Sequence, residues 1–184
     1  MIRILDIILS LIGLVIGLPV VLILMLLGYL DTGSPFFRQT RVGRYQKPFT
    51  LIKFRTMKPD TPSVASHLAD SSTITPLGHF MRKSKLDELP QLWNVLIGDM
   101  SLVGPRPCLF NQQELIQTRT ALRIYEARPG ITGLAQLSGI DMSTPALLAE
   151  TDRRMLDELN LFTYFWFLVL TLSGKGFGDR IRER

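Results

Sequence analysis

A single stretch, Lys83–Pro107, organises the rest of this chain: KSKLDELPQLWNVLIGDMSLVGPRP. It places two adjacent carboxylates, Asp87 and Glu88, at the start of an apolar segment with helical spacing. It closes with Arg106, which lies between two prolines. An ionised aspartate near the positive end of a helix dipole serves as a metal ligand, as a nucleophile or simply as a helix cap. The identity of the residues around Asp87 indicates which of these roles applies.

We expect one helix to follow Lys85, because the apolar side chains there recur at helical spacing. Ser84 or Asp87 caps its first turn, and Pro90 then lies where no backbone donor is needed. The spacing divides the helix into two sides. The apolar side holds Leu86, Leu89, Trp93 and Leu96, and the polar side holds Asp87, Gln91 and Asn94.

Composition limits the class of protein and of partner. The chain has 184 residues, which favours one domain, and its net charge is +5, with arginine supplying 15 of the 21 cationic side chains. Because the planar arginine fork matches phosphate oxygens, this excess predicts an anionic partner. Cys108 is the single cysteine, which excludes an internal disulfide and agrees with a reducing cytoplasm. We interpret it as a small packed residue.

Residues Ile4–Leu30 are almost entirely hydrocarbon. As a straight helix this segment measures roughly 40 Å, which is enough to cross a bilayer. Two features argue against a simple span. Pro19 removes a backbone hydrogen bond at the middle and bends the helix, and Arg3 with Asp6 makes the first turn amphipathic, as suits the headgroup level. The composition therefore fits either a spanning anchor or a helix that enters, bends at Pro19 and leaves on the same side.

The segment after the membrane helix is strongly basic. Residues Arg38–Lys58 contain seven cations and no acid, a pattern typical of the cytoplasmic side of a membrane and of attraction to anionic lipid. Phe36–Val42 and Phe49–Met57 predict two short strands around a turn. Lys53 and Arg55 then point to the same face, where both are available to a phosphate.

The other segments are assigned by their patterns. Lys58–Thr75 predicts a surface loop with a solvated His67. Arg128–Gly133 predicts either a tight turn that reverses the chain or a set of backbone donors for an anion. Leu161–Leu172 is too short to span a bilayer and rich in aromatic residues, which suits a membrane interface or a protein core. We expect further helices at Pro76–Lys85, Asn111–Ala127 and Ala146–Leu159, and a basic tail from Gly174 to Arg184.

Adjacent carboxylates, several arginines and a membrane segment together suit phosphoryl transfer, in which catalysis depends on charge neutralisation, positioning and a nucleophile. On these residues the sequence resembles the bacterial sugar transferase family, the monotopic phosphoglycosyl transferases that begin assembly of polyprenol-linked glycans. The resemblance runs from about Arg3 to Thr171. Five motifs carry it in order: Lys53–Met57 (KFRTM), Leu86–Leu89 (LDEL), Gly98–Ser101 (GDMS), Val103–Pro107 (VGPRP) and Arg128–Gly133 (RPGITG).

The resemblance implies a reaction. A sugar phosphate moves from a nucleoside diphosphate sugar, usually a UDP-sugar, to polyprenyl phosphate, and UMP is released. Asp87 matches the nucleophile of a ping-pong route through an aspartyl phosphosugar intermediate. Glu88 matches its partner, and the resemblance implies that these two carboxylates hold Mg²⁺. Arg106 matches an arginine that contacts phosphate.

The resemblance also implies other residue roles and an architecture. The further substrate-binding residues are Lys53, Arg55, Arg128 and Asp152, and the membrane or structural residues are Arg3, Asp6 and Pro19. The expected fold is α/β, mostly α. Residues 1–33 form a re-entrant membrane helix that breaks near a proline. Residues 34–184 form a compact cytoplasmic catalytic domain with a small β-hairpin and amphipathic interfacial helices.

The implied location is the cytoplasmic face of the bacterial inner membrane, at the first membrane step of surface glycan or glycoprotein assembly. The implied partners are undecaprenyl-type polyprenyl phosphate, a UDP-sugar and membrane phospholipid, with no nucleic acid. A homo-oligomer is left open, and so is the identity of the sugar.

Some positions depart from the family pattern. They are Ile2, where a second cation is common, Leu18, where a serine precedes the proline, Arg154 and Met155, in place of a tyrosine pair, and Tyr164, in place of an acid. These changes bear on sugar selectivity and on the carboxyl-terminal contacts, and they leave the reaction unchanged.

Two other functions fit part of the sequence. A non-enzymatic membrane protein that binds anionic lipid through Arg38–Lys58 explains the anchor and the charge, but not the Asp87–Glu88 pair or Arg106. A membrane phosphatase would pass the aspartyl intermediate to water. Release of UMP from a UDP-sugar only when polyprenyl phosphate is present separates all three functions.

Overall fold

The structure, a computed structural model, describes residues 1–61 and 70–176. Two parts of the chain lie outside the described residues. One is the middle of the predicted loop Lys58–Thr75, which includes His67, and the other is the tail beyond Gly176. The helices are α1 (Ile2–Thr32), α2 (Pro76–Ser84), α3 (Gln91–Ile97), α4 (Gln113–Ala121), α5 (Leu134–Leu137), α6 (Pro145–Glu158) and α7 (Leu161–Leu172). The strands are β1 (Phe36–Val42), β2 (Pro48–Phe54), β3 (Ser101–Val103) and β4 (Gly130–Thr132). Helices dominate and the strands form small sheets, so the predicted α/β fold with a helical majority is confirmed.

The predicted β-hairpin is present. β1 and β2 pair antiparallel, with Phe37 opposite Lys53, Gln39 opposite Leu51, and Arg41 opposite Phe49. Because alternate residues of a strand point to the same face, these six side chains share one face of the hairpin. β2 ends at Phe54, earlier than expected, so Arg55 lies just beyond the paired strand.

The expected single helix after Lys85 is wrong. The segment divides into a 3₁₀ turn, Leu86–Glu88, and the separate helix α3. Lys85 has a φ of 58°, a left-handed conformation that ends α2 before the turn begins. Pro90 lacks a backbone N–H and lies directly before α3. The capping positions belong to Lys85, before the 3₁₀ turn, and to Pro90, before α3, and not to Ser84 or Asp87. The Ser84 hydroxyl donates to carbonyls within α2.

The polar side of α3 faces the protein interior. Asn94 is 1% exposed, whereas Trp93 and Ile97 on the apolar side are 50% and 54% exposed. The Asn94 amide bonds the backbone of β2: its oxygen accepts from the Ile52 N–H at 3.1 Å, and its nitrogen donates to the Thr50 carbonyl at 2.8 Å. A buried amide is tolerated because these bonds replace those with water.

The segment Arg128–Gly133 is not the tight turn that its glycines predicted. Its centre forms β4, which pairs parallel with β3 and places Gly130 opposite Ser101. The two chains approach so closely that a Cβ on Gly130 would lie 2.0 Å from the backbone nitrogen of Gly104. This approach requires glycine and brings the VGPRP and RPGITG motifs into contact.

The helix α1 is continuous through Pro19, so the break expected near this proline is wrong. Near its amino end α1 contacts the rest of the protein. Asp6 is 2% exposed. Its carboxylate accepts hydrogen bonds from the Ser101 hydroxyl, the Leu102 N–H and the Tyr164 hydroxyl, at 3.0, 3.0 and 2.8 Å. Asp6 therefore lies inside the protein and not on an exposed polar side of the first turn, while the place of that turn at the headgroup level stays a prediction.

The carboxyl end of α1 also docks on the protein. Leu24 packs in a buried cluster with Phe54 and Met81. Asp31, the last residue but one of the helix, accepts a hydrogen bond from the Thr75 hydroxyl at 2.6 Å. Within residues 1–61 and 70–176, α1 is the helix that is long and apolar enough to cross a membrane.

The helices α4 and α6 confirm the predicted segments with shifted ends. The expected helix Asn111–Ala127 is divided into α4 and the 3₁₀ turn Ile124–Glu126, because Arg123 adopts a left-handed φ of 55°. Cys108 is fully buried in a cluster with apolar residues of both helices, as expected for a small packed residue.

The helix α7 begins at a capping box formed by Asn160 and Thr163. One side of α7 packs Tyr164 and Phe167 into the core. The other side is exposed and almost wholly apolar: Phe162, Phe165, Trp166, Val169 and Leu172. The segment thus takes part in the core, while its contact with a membrane interface stays a prediction.

Candidate functional site

The acidic and basic motifs meet in space. Arg106 Nη2 donates to Glu88 Oε1 at 3.1 Å, across 18 residues of sequence. Both side chains are partly accessible, and Asp87 beside them is buried. The structure therefore brings together Asp87, Glu88 and Arg106, three residues selected from the sequence.

Lys85 lies at the start of the same turn and was not selected from the sequence. Its left-handed backbone turns the chain toward Asp87, and its Nζ donates to the carbonyl of Lys175 at 2.9 Å. Burial lowers the pKa of the Lys85 amine, with a contribution from the charge of Arg106 and against the opposing effect of Glu88. The amine therefore shares the electrostatic environment of the Glu88–Arg106 pair.

The backbone of Arg106 is held by a buried ion pair. Arg119 donates from Nη1 to the Arg106 carbonyl at 2.9 Å. The same side chain donates from Nε and Nη2 to one carboxylate oxygen of Asp152, at 3.0 and 2.6 Å. Burial raises the pKa of the Asp152 carboxyl, although Arg119 opposes this shift.

Asp152 was selected as a substrate-binding residue, but the structure buries it in the core. Asp152 is connected to the site through hydrogen bonds, since it accepts from Arg119 and Arg119 donates to the Arg106 carbonyl. Arg119 itself carried no sequence signal, because a single arginine on an amphipathic helix normally lies in solvent. Only the approach of α4 to α6 shows the pairing.

A cleft beside Arg106 opens to solvent, and the space within it, open solvent included, is about 310 Å³. Its polar lining comes from β1, β2, α3 and the VGPRP motif: Arg41, Lys53, Gln91 and Arg106. Arg41 is held in place by hydrogen bonds to the Pro107 carbonyl at 3.1 Å and to Gln39 Oε1 at 2.6 Å. Three cations in one cleft suit a ligand with several negative charges.

Lys53, which was selected from the sequence as a substrate-binding residue, lines this cleft. Arg41 and Gln91 also line it but were not selected from the sequence. The available signal was strand alternation, since Arg41 and Lys53 share one face of the hairpin. Gln91 had no signal of its own, because the pattern did not show that the polar side of α3 faces inward.

Arg55 lies beside the cleft and not in its lining. Its guanidinium and the Lys53 amine both approach the Phe37 ring, at 5.6 and 5.7 Å from the ring centre. Arg55 Nε also donates to the Ser34 carbonyl at 3.2 Å. Lys53 and Arg55 therefore lie near the same ring, in agreement with the prediction that they point to the same face of the hairpin.

Arg128 and Arg3 lie at the other end of α3. Arg128 Nε donates to the Gly98 carbonyl at 2.8 Å. Arg3 donates to the Val95 and Leu96 carbonyls at 2.6 and 3.0 Å. The seven residues of α3 cover about 10 Å, and Asp87 precedes the opposite end. Arg128, selected as a substrate-binding residue, is thus placed apart from the Glu88–Arg106 pair.

Asp87 and Glu88 are the carboxylates available to a metal ion at this site. In the described ranges, no group of three or more His, Cys, Asp or Glu side chains has metal-binding geometry. Mg²⁺ commonly takes one or two protein carboxylates and completes its shell with water and substrate phosphates. Two adjacent carboxylates beside a cationic cleft fit this type of binding.

Comparison with known proteins gives a consistent result. A family model described as bacterial sugar transferase matches residues 1–175. A Bacillus subtilis protein named uncharacterized sugar transferase EpsL is 44% identical over 144 residues, which are 78% of this chain and 71% of the relative. A Caulobacter vibrioides protein named UDP-glucose:undecaprenyl-phosphate glucose-1-phosphate transferase is 42% identical over 75% of this chain and 54% of its own length.

A second Bacillus subtilis relative is named a putative undecaprenyl-phosphate N-acetylgalactosaminyl 1-phosphate transferase. It is 45% identical over 57% of this chain and 60% of its own length. This chain therefore spans about half to seven tenths of the length of these relatives.

Proposed function

Because the chain belongs to the bacterial sugar transferase family, we propose that it transfers a sugar phosphate from a UDP-sugar to polyprenyl phosphate and releases UMP. The observation that carries this proposal is the Glu88–Arg106 ion pair of 3.1 Å beside the buried Asp87. It joins a nucleophile, a second carboxylate and a phosphate-binding cation in one place. The names of the relatives, which include undecaprenyl-phosphate glucose and N-acetylgalactosamine 1-phosphate transferases, support the same reaction.

In the first step, a carboxylate oxygen of Asp87 attacks the sugar-bearing phosphorus of the UDP-sugar. A bond from phosphorus to Asp87 forms as the bond from phosphorus to the UMP oxygen breaks, and UMP leaves. The adjacent positive charges of Arg106, Arg41 and Lys53 offset the charge of the diphosphate, which otherwise repels an attacking carboxylate.

In the second step, an oxygen of polyprenyl phosphate attacks the same phosphorus. The bond to Asp87 breaks, the carboxylate is restored, and polyprenyl diphosphate sugar leaves. Two anionic substrates need not occupy the cleft together, because UMP has left before the lipid phosphate attacks. Glu88 is held by Arg106 beside Asp87, where it is available to orient the lipid phosphate.

Asp87 and Glu88 would hold Mg²⁺ together with the diphosphate. When bound, the ion supplies positive charge that offsets the negative charge of the phosphoryl oxygens.

We also propose that α1 is re-entrant, that residues 1–33 form the membrane element, and that residues 34–184 form the catalytic domain on the cytoplasmic face of the inner membrane. The contacts of α1 support this. Asp6, near one end, and Asp31, near the other, both bond residues of the same domain. A straight span would carry one of these ends away to the far side of the bilayer. The basic run Arg38–Lys58 supports the cytoplasmic side.

The test of the function uses the full chain in detergent with Mg²⁺ and a UDP-sugar labelled in the sugar, without lipid. We expect label on the peptide that contains Asp87, with the mass of a phosphosugar, and loss of that label when polyprenyl phosphate is added. Asp87→Asn should take up no label while its thermal stability stays near that of the unchanged chain.

UDP-glucose, UDP-galactose and UDP-N-acetylgalactosamine form the first donor panel, because relatives are named for these sugars. Release of UMP without lipid and in more than one turnover would indicate a phosphatase. No adduct, together with product only when both substrates are present, would make Asp87 a metal ligand in a direct displacement.

A further inference from the structure

Three arginines converge at the carboxyl end of α3, at the end opposite Asp87. Arg3 and Arg128 bond the carbonyls of its last turn and of Gly98. Arg44, at the tip of the β1–β2 hairpin, donates from Nε to the carbonyl of Glu126 at 2.7 Å, two residues before Arg128. We refer to Arg3, Arg44 and Arg128 as the arginine cluster.

The charge of the arginine cluster is not neutralised by the described residues. None of its members forms an ion pair there. Asp6 attracts Arg128 but forms no ion pair with the cluster, and the Glu126 carboxylate pairs with Arg123 at 2.7 Å. Burial and the like charges of Arg44 and Arg3 lower the pKa of Arg128, although the charge of Asp6 opposes this shift. An anion at this place would relieve that repulsion.

The cluster also has donors to offer. The terminal guanidinium nitrogens of Arg44 and Arg128 make no hydrogen bond to the described residues, because the bonds of both side chains run through Nε. Guanidinium forks match phosphate oxygens in geometry as well as in charge. The charges of Arg44 and Arg128 act on each other, so the two forks lie near enough to favour an anion with several oxygens, such as a phosphate, over a halide.

The hairpin tip adds an aromatic residue at the same place. Tyr45 and Gln46 have φ values of 54° and 58°, a left-handed conformation that asparagine and glycine adopt more readily than other residues. This turn instead holds an exposed tyrosine, with the Arg44 guanidinium 4.6 Å from the ring centre. Tyrosine with an exposed polar tip is typical of the membrane–water interface.

The surroundings of the arginine cluster suit the level of the lipid headgroups. Arg3 lies in the first turn of α1, whose following side chains are apolar and largely exposed. Trp93 and Ile97 expose apolar surface on α3, the helix whose last turn Arg3 and Arg128 bond. A basic site at the edge of an exposed apolar surface is suited to a lipid whose acyl chains cover that surface.

We propose that Arg3, Arg44 and Arg128 bind the phosphate of an anionic bilayer phospholipid at the end of α3 opposite Asp87. This proposal rests on the membrane association of α1 and not on the transferase reaction. Polyprenyl phosphate offers the same phosphate chemistry, but its reacting oxygen has to reach Asp87. A soluble anion has no acyl chains, so it could not cover the exposed apolar surface of α1 and α3.

The test measures phospholipid retention on the full chain by native mass spectrometry, after reconstitution with phosphatidylglycerol or with phosphatidylcholine. We expect the unchanged chain to retain phosphatidylglycerol in preference to phosphatidylcholine. Arg44→Gln should reduce the retained phosphatidylglycerol at least ~10-fold. Arg44 is the position to change because the hydrogen bond that its side chain donates to the Glu126 carbonyl lies at the surface, so the fold should persist, as a thermal denaturation curve would verify.

Arg153→Gln is the matched control, since it removes one positive charge from an exposed ion pair on α6. It should retain phosphatidylglycerol as the unchanged chain does. Equal retention by Arg44→Gln and the unchanged chain, or an equal loss in both variants, overturns the proposal.

Competition separates the sources of the phosphate. UMP should leave the retained phosphatidylglycerol unchanged, and undecaprenyl phosphate should displace it only weakly. Complete displacement by equimolar undecaprenyl phosphate would assign the cluster to the acceptor lipid and overturn the phospholipid assignment. No sugar donor is present in these measurements, so their outcome is independent of the proposed reaction.

Discussion

Arg106 is constrained from two directions at the scale of single residues. Its side chain donates to Glu88, and its carbonyl accepts from Arg119. The prolines on either side restrict the backbone dihedral angles further. A guanidinium held in this way is ready to meet a phosphate without losing much conformational entropy on binding.

The first prediction concerns the geometry of this guanidinium. Arg106→Lys keeps the charge and loses the planar fork, so it cannot make a bidentate contact to a diphosphate. We expect kcat/KM for the UDP-sugar to fall at least ~10-fold, which corresponds to about 1.4 kcal/mol. Steady-state release of UMP measures this change in kcat/KM. Arg153→Lys, at an exposed position on α6, is the control and should change turnover little. Near-normal turnover in Arg106→Lys would make Arg106 a structural residue.

At the scale of secondary-structure elements, the pair of helices α4 and α6 supports the site. The helices α4 and α6 contribute Arg119 and Asp152, whose side chains are 2% and 1% exposed. A buried ion pair adds little over a packed apolar pair, but the loss of one partner leaves an uncompensated charge in the core. The loop that carries Arg106 therefore depends on the packing of α4 against α6.

Asp152→Ala should accordingly destabilise the fold by about 3–5 kcal/mol and lower transferase activity as well, because Arg119 loses its support. Thermal denaturation in detergent measures the first effect and UMP release the second. Asp157→Ala removes an exposed carboxylate from the same helix, and we expect little change from it. If both variants melt at the same temperature, the buried pair does not support the fold as proposed.

The whole molecule is organised by the path of α1. Its first turns hold Asp6 against β3 and α7, and its last turns pack against β2 and α2. Much of its middle is exposed and apolar. A helix attached to one domain near both ends and uncovered between them is suited to dipping into one leaflet of the bilayer.

Topology therefore gives a test at this scale. We expect Ile2→Cys and Lys47→Cys to be protected from a membrane-impermeant maleimide in intact cells and labelled after the cells are opened. Cys108 is fully buried and should give little background. Pro19→Ala restores a backbone hydrogen bond and should shift part of the population to a spanning helix. Labelling of Ile2→Cys in intact cells would falsify the re-entrant arrangement.

Local patterns were enough to predict a large part of this protein. The long apolar run, the β-hairpin and the segments of α2, α6 and α7 follow from residue spacing and turn residues, which act over a few positions. The chemistry of Asp87, Glu88 and Arg106 follows from residue type and from motifs shared with a known family. These features need no knowledge of how distant parts of the chain meet.

Tertiary structure alone decided the rest. The spacing of α3 divides its residues into two sides but does not say which side faces the protein, and the backbone of β2 selects the polar one through Asn94. The pairing of Arg119 with Asp152 and the burial of Asp6 by Tyr164 join residues 33 and 158 positions apart. Such contacts depend on the path of the whole chain. A local pattern cannot encode them, because it records what each residue is able to bind and not which partner the fold brings within reach.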